Sequence, residues 1–202
     1  MIAYAAPAIG AFVIGSIPFG LVISKLFYKT DIRKAGSGNI GAMNALRTLG
    51  KGGAIAVLLL DAAKGIVPAS LALAFAHDLH LAALLATCAV LGHCFSPWLA
   101  FRGGKGVATS FGAIFALSWP AGLCCVGGWL LGALGTTYSS VGSMLGNLVA
   151  PFALWYFTRD WWVTGFGVFA AVFIIYTHRE NLVRLREGRE SGISFLRRGK
   201  RA

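Results

Sequence analysis

Seven apolar stretches recur along this chain of 202 residues, and they constrain its fold more than any other feature. They span residues 3–27, 53–76, 81–100, 107–117, 121–136, 144–157 and 161–176. A helix needs roughly 20 apolar residues to cross about 30 Å of hydrocarbon, so the shorter stretches could be re-entrant. Only 12% of the residues are charged, which excludes an ordinary soluble domain. The sequence therefore predicts an all-α, polytopic membrane protein of about seven transmembrane helices, folded as one domain over residues 1–202.

The distribution of Lys and Arg among the predicted loops indicates the topology. Short loops rich in these residues remain cytoplasmic, whereas translocated loops contain few of them. The connection at 28–52 holds five, the connection at 101–105 holds two and the segment after 178 holds eight, which together are 15 of the 18. Seven spans place all three regions on one side, with the N-terminus outside and the C-terminus cytoplasmic.

The net charge of +11 is compatible with an anionic partner, either nucleic acid or lipid head groups. A basic tail next to a membrane span is typical of contact with anionic lipid head groups, so we expect membrane lipids and no nucleic acid as partners. The four cysteines lie in or beside apolar stretches without metal-type spacing. We expect them to be small core residues, and we expect neither a metal nor a cofactor.

Asp61 and Lys64 are charged residues near the middle of the second apolar stretch. Their spacing of three places them on one helix face, and charges at this depth are costly. Two interpretations are open. They could form a neutralising pair that faces the interior, which we favour, or they could belong to a proton or ion relay.

Two of the predicted inner loops have the composition of anion-binding segments. The first, residues 35–47, combines three glycines with Ser37, two Asn residues and Arg47. Glycine permits conformations in which several backbone amides converge on one anion. In the second, Gly103 and Gly104 precede a predicted helix with Lys105 in its first turn, so free amides, the helix dipole and a point charge would coincide.

Two further segments add polar groups to the same predicted face. If residues 176–190 are helical, His178 and Asn181 lie on one side, and residues 136–143 contribute hydroxyl groups. Four segments would thus form a site for phosphate groups at the lipid boundary, as in an enzyme that joins a phosphorylated substrate to an acyl chain. The alternative is a transporter of a phosphorylated solute, whose site should lie near the bilayer midplane between repeats.

Three ordered segments resemble the bacterial acyl-phosphate-dependent glycerol-3-phosphate acyltransferases, the PlsY family. These are residues 37–44 with Arg47, Gly92-His93 leading to residues 103–109, and residues 177–181 with Arg184-Leu185. The resemblance implies a multi-pass enzyme of the bacterial inner membrane, active on the cytoplasmic side in phospholipid biosynthesis. It would transfer an acyl group from acyl phosphate to the 1-position of sn-glycerol 3-phosphate and release lysophosphatidic acid and inorganic phosphate.

The resemblance also implies roles for individual residues. It assigns catalytic parts to His178, Asn181, Lys105, Ser37 and Arg47. It assigns substrate binding to Gly38, Asn39, Asn44, His93, Gly103, Gly104 and Ser143. Glu180 would hold the third segment in shape by pairing with an Arg. We expect direct transfer without an acyl-enzyme, because no segment joins a nucleophile to an adjacent base. His178 or a substrate phosphate would accept the proton.

Overall fold

The computed structural model describes residues 2–193, and within this range the chain is helical with no β-strand. The basic residues Arg197, Arg198, Lys200 and Arg201 of the predicted cytoplasmic tail lie outside the described residues. The α-helices are α1 Ile2–Ser16, α2 Phe19–Tyr28, α3 Ala42–Thr48, α4 Gly50–Leu71, α5 Leu79–Cys94, α6 Val107–Leu117, α7 Trp119–Thr136, α8 Ser139–Thr158, α9 Trp161–Thr177 and α10 Arg179–Arg186. All seven predicted apolar stretches are helical over most of their length, which confirms the all-α prediction.

Local signals in the sequence set several helix ends. Asp78 begins α5 because its side chain accepts a hydrogen bond from the Leu81 amide, and Asp160 begins α9 by accepting from the amides of Trp162 and Val163. Pro18 lies at the break between α1 and α2, and proline lacks the amide that a continuous helix would use.

Within residues 2–193, four helical segments are long and apolar enough to cross a membrane, namely Tyr4–Tyr28, Gly50–Ala76, Leu79–Leu99 and Trp119–Thr136. A fifth is possible if α9 and α10, which are bent by 54° at their junction, form one span. Helix α6 is apolar but has only 11 residues. The count of seven and the orientation of the termini therefore stay predictions.

The helices form two compact units, Met1–Leu117 and Ser118–Ala202. In the first unit, α4 approaches α6 so closely that a side chain at Gly65 would overlap the Thr109 carbonyl. In the second, a Cβ at Gly132 of α7 would lie 2.8 Å from Cα of Gly142 in α8. Small residues permit this backbone contact between helices in lipid, where the hydrophobic force between them is weak. The prediction of one domain is not tested by this division.

Two of the predictions about these helices need correction. Cys94 and Cys125 are buried, but Cys124 is exposed and is not a core residue of its unit. Helix α6 begins at Val107, two residues after Lys105, so Lys105 precedes the helix and does not lie in its first turn.

Candidate active site

Asn44 organises the first predicted loop. Its side-chain amide donates to the carbonyl oxygens of Ile32, Ala35 and Asn39 at 3.1, 3.0 and 2.8 Å, and its Oδ1 accepts from the Ser37 amide at 2.8 Å. Asn44 is 2% exposed. Both groups of the side chain are thus used to hold the loop in shape. In this structure the Asn44 side chain supports the loop, and substrate binding by Asn44 stays a prediction.

Glycines set the conformation of this loop around Ser37. Gly36 and Gly38 have φ angles of +60° and +73°, in the left-handed region that favours glycine, and a side chain at Gly36 would also overlap Asn44 Oδ1. Ser37 is exposed between them. Asn39 is partly buried, and its Oδ1 accepts from the Gly41 amide at 2.8 Å. Arg47 is exposed in the last turn of α3.

The first loop and the second predicted loop rest on one hydrophobic core in the first unit. Ile40 lies in the first loop, Ile32 lies three residues before that loop begins, and Leu99 lies shortly before the second loop. All three are buried in the same cluster with side chains from α2, α3 and α4. The two predicted segments are thus anchored on a common core, and their convergence on one binding site stays a prediction.

The second loop departs from the predicted phosphate cradle. The amide of Gly103 donates to the Cys94 carbonyl at 2.9 Å, and that of Gly104 donates to the His93 carbonyl at 3.1 Å. These amides donate within the protein, so phosphate binding by Gly103 and Gly104 stays a prediction. The glycines instead let the loop lie against the end of α5, since a side chain at Gly103 would overlap the His93 carbonyl. Lys105 follows them and is partly buried.

Asp61 and Lys64 form the buried ion pair that we favoured. The Lys64 ammonium lies 2.8 Å from Asp61 Oδ1, and both side chains are 2% exposed. The contact is an ion pair whose angles do not meet the geometry of a hydrogen bond. The same ammonium donates to the Ile17 carbonyl at 2.9 Å and lies 2.8 Å from His93 Nδ1. The contact with His93 was not foreseen, because nothing in a sequence links residues 29 positions apart on two helices.

In the second unit, His178 lies at the junction of α9 and α10 and is 4% exposed. Its Nδ1 is 2.8 Å from the carbonyl oxygen of Ile174. A carbonyl oxygen only accepts, so Nδ1 carries a proton, and Nε2 has the lone pair when the ring is neutral. This hydrogen bond therefore sets the tautomer of the neutral ring, and the part of His178 as a base stays a prediction.

A carboxylate that the sequence analysis missed joins the third segment to residues 136–143. Glu190 Oε1 accepts from Ser140 Oγ at 2.8 Å and from Asn181 Nδ2 at 2.6 Å, and its Oε2 accepts from Arg184 Nε at 2.8 Å. Glu180 was expected to hold this segment by pairing with an Arg, and it does pair with Arg184 at 4.0 Å, but its side chain is 73% exposed. The supporting carboxylate is Glu190, and its only sequence signal is an acidic residue in a basic tail.

Burial raises the pKa of Glu190, but the hydrogen bonds from Asn181, Arg184 and Ser140 outweigh that effect and hold the pKa below its ordinary value of 4.5. The carboxylate is thus ionised at neutral pH.

Two other contacts complete this part of the second unit. The Ile193 amide donates to the Thr137 carbonyl at 2.8 Å, and Ile193 is buried. Ser143 is also buried, and its hydroxyl donates to the Ser139 carbonyl one turn earlier at 2.8 Å. The structure therefore brings residues 136–143 and the third segment together within this unit. Among the described residues, no group of three His, Cys, Asp or Glu side chains could hold a metal ion.

Comparison with known proteins accounts for nearly the whole chain. Residues 5–188 match the family model described as glycerol-3-phosphate acyltransferase. The glycerol-3-phosphate acyltransferase of Paramagnetospirillum magneticum is 41% identical over 194 residues, with 96% of this chain and 95% of the relative covered. That of Erythrobacter litoralis is 46% identical over 188 residues, covering 91% and 93%.

Two solved structures have the same fold. Both are of PlsY (YgiH), described as an integral membrane glycerol 3-phosphate acyltransferase, in a glycerol 3-phosphate form and a lysophosphatidic acid form. They superpose with TM-scores of 0.89 and 0.87 at 38% and 37% identity. The first covers 95% of this chain and 96% of its own, and the second covers 95% of each. The chain is an integral membrane protein that belongs to the glycerol-3-phosphate acyltransferase family.

Proposed function

We propose that the protein transfers an acyl group from acyl phosphate to the 1-hydroxyl of sn-glycerol 3-phosphate, giving lysophosphatidic acid and inorganic phosphate. The observation that carries this proposal is the family match over residues 5–188, which includes every candidate site residue. The solved relative in glycerol 3-phosphate and lysophosphatidic acid forms provides further support, because these compounds would be the substrate and product of this reaction.

Direct transfer fits the chemistry of these substrates. The hydroxyl oxygen attacks the acyl carbon, a new ester bond forms, and the bond from that carbon to the phosphate oxygen breaks. Acyl phosphate is already activated and phosphate leaves readily, so the protein needs chiefly to position both substrates and stabilise negative charge. No covalent nucleophile is required.

The hydroxyl proton goes either to His178 or to an oxygen of a substrate phosphate. The hydrogen bond from His178 Nδ1 to the Ile174 carbonyl supports the first route, since it leaves the basic lone pair on Nε2. Asn181 would act as a positioning residue in the same segment, because its amide is bound to Glu190.

Phosphate recognition is assigned to cationic and hydroxyl groups of the two predicted inner loops. Lys105 and Arg47 provide positive charge, and Ser37 provides an exposed hydroxyl. Gly38, Asn39 and Asn44 shape the first loop, while His93, Gly103 and Gly104 shape the second. Ser143 remains a proposed substrate-binding residue of the second unit.

We further propose that the active site faces the cytoplasm in the inner membrane of a bacterium. The support is the clustering of Lys and Arg in the three regions predicted to be cytoplasmic. On this topology the N-terminus is external, the C-terminus is internal, and the chain crosses seven times as a single acyltransferase domain.

The test is to incubate the purified protein with acyl phosphate and glycerol 3-phosphate and to measure lysophosphatidic acid. Parallel reactions contain acyl coenzyme A or acylated acyl carrier protein as the donor. We expect product with acyl phosphate alone. Efficient transfer from either thioester, with none from acyl phosphate, would refute the assigned donor.

The same assay tests Lys105. A charge-assisted contact with phosphate contributes about 1.5–3 kcal/mol, so Lys105→Ala should lower kcat/KM by about ten- to a hundredfold. Arg102→Ala is the matched control, since Arg102 is an exposed cation in the same loop. Near-normal kinetics in folded Lys105→Ala protein would remove Lys105 from phosphate binding.

A further inference from the structure

Lys64 and Asp61, two charged residues outside the proposed phosphate-binding loops, form a buried cluster with His93. Their exposed fractions are 2%, 1% and 4%. The Lys64 ammonium is surrounded by Asp61 Oδ1, the Ile17 carbonyl and His93 Nδ1, each within 2.9 Å, and it also lies 5.5 Å from the centre of the Phe19 ring. Burying a charge to this extent requires such compensation.

The contact between Lys64 and His93 determines where the imidazole holds its proton. An ammonium group has three donors and no acceptor, and the adjacent Asp61 carboxylate stabilises that charged form. His93 Nδ1 must therefore present its lone pair to Lys64. The neutral ring then carries its proton on Nε2, which is the opposite tautomer to that of His178.

The Nε2 side of the His93 ring lies beneath the loop that leads to Lys105. A side chain added at Gly104 would overlap Nε2, and its Cβ would lie 2.8 Å from Cε1. The backbone carbonyl of His93 also accepts the Gly104 amide at 3.1 Å. His93 thus contacts Lys64 through Nδ1 on one side of its ring and supports the backbone before Lys105 on the other side.

We propose that Lys64 is a positioning residue, which acts through His93 to orient the Gly103–Lys105 loop for the phosphate of glycerol 3-phosphate. Asp61 keeps Lys64 charged, Lys64 fixes the ring and tautomer of His93, and the Nε2 side of that ring holds the loop. No proton passes along the cluster during turnover. This inference rests on the proposed role of Lys105 in phosphate binding.

The first test uses the wild-type protein. Nitrogen-15 histidine labelling and two-bond proton–nitrogen correlation spectra in detergent micelles distinguish the two neutral tautomers. We expect the proton on Nε2 for His93 and on Nδ1 for His178, which makes His178 an internal reference. A His93 ring protonated on Nδ1 would overturn the proposal without any variant.

The second test removes both charges together, because loss of one partner would leave the other charge buried alone. In Asp61→Asn/Lys64→Met we expect His93 to lose its tautomer preference. We also expect KM for glycerol 3-phosphate, and its Kd by calorimetry, to rise about tenfold, with kcat changed less than about threefold. The matched control, Glu187→Gln/Arg189→Met, removes an exposed ion pair and should match wild type.

The third test asks whether Lys64 acts through His93. In a His93→Ala background, adding Asp61→Asn/Lys64→Met should cause no further rise in KM, because the intermediary is already absent. Additive effects would overturn the proposal, as would an unchanged KM in the folded double variant.

Failure of this inference is distinguishable from failure of the proposed function. If wild-type protein does not use acyl phosphate, the proposed donor is wrong, but the tautomer spectra and glycerol 3-phosphate binding still decide the role of Lys64.

Discussion

Replacement of Glu190 is the most discriminating single change that the structure suggests. Its carboxylate accepts hydrogen bonds from Ser140, Asn181 and Arg184, although it follows the end of α10 in a strongly basic part of the sequence. Glu190→Ala removes the acceptor for all three donors at once. Because Asn181 is a proposed positioning residue, both stability and activity should respond.

The magnitude follows from the burial of the donors. Ser140 and Asn181 are buried, and a buried donor that loses its acceptor costs about 1–3 kcal/mol. The Arg184 side chain is 34% exposed, so its contact adds no more than about 1 kcal/mol. We therefore expect Glu190→Ala to lower the free energy of unfolding by about 2–7 kcal/mol. Glu190→Gln, which keeps one acceptor oxygen, should cost about half as much.

The pH dependence gives this prediction a second readout. The pKa of Glu190 lies below its ordinary value in the folded protein, so the carboxylate stabilises the fold above pH 4.5. That contribution is lost as pH falls through the folded pKa. The difference in stability between wild type and Glu190→Gln should therefore be largest near neutral pH and should shrink below pH 4.5.

The assay is denaturant unfolding of detergent-purified protein, followed by tryptophan fluorescence, together with acyl transfer at each pH. Glu187→Gln is the matched control, because Glu187 lies in the same segment and pairs with Arg189 at the surface. It should change stability by less than about 0.5 kcal/mol. Wild-type stability and KM in Glu190→Ala, or equal losses in both variants, would refute the reasoning.

Three other predictions follow from the structure and the sequence. Gly104→Ala should lower kcat/KM by about tenfold or more, because the added methyl group overlaps the His93 ring. The control is Gly135→Ala, which should match wild type because no atom lies within 4 Å of the added methyl group. Equal kinetics in the two variants would contradict the close packing at Gly104. A reporter fused after Ala202 should be cytoplasmic and one before Met1 external, whereas reporters on the same side would mean an even number of spans. Labelled acyl phosphate without acceptor should leave no label on the protein, and label chased off by glycerol 3-phosphate at the turnover rate would establish an acyl-enzyme.

The helices were predictable because their signals are local. A stretch such as 107–117 is mostly apolar, and α6 occupies the same residues, Val107–Leu117. The span count was less accessible, since helices of this length do not show by themselves whether they cross a bilayer. The pairing of Asp61 with Lys64 was also predictable, because residues three apart on a helix are neighbours.

Roles of individual site residues were harder to predict, because a polar residue in a loop has several possible partners. Asn44 was expected to bind phosphate, yet its amide holds the loop itself. The Gly103 and Gly104 amides were expected to be free, yet they donate to the end of α5. In each case the partners are backbone groups, which almost every residue possesses and no sequence pattern marks.

The sequence by itself determined that this protein is a helical membrane protein and where its polar loops lie. Its three ordered segments also showed the resemblance to glycerol-3-phosphate acyltransferases. Only the tertiary structure decided that Lys64 contacts His93 and that Glu190 holds Ser140 and Asn181. Helix formation depends on neighbours within a few positions of the chain. These contacts join residues up to 50 positions apart, and they form only because packed helices bring them within hydrogen-bond distance.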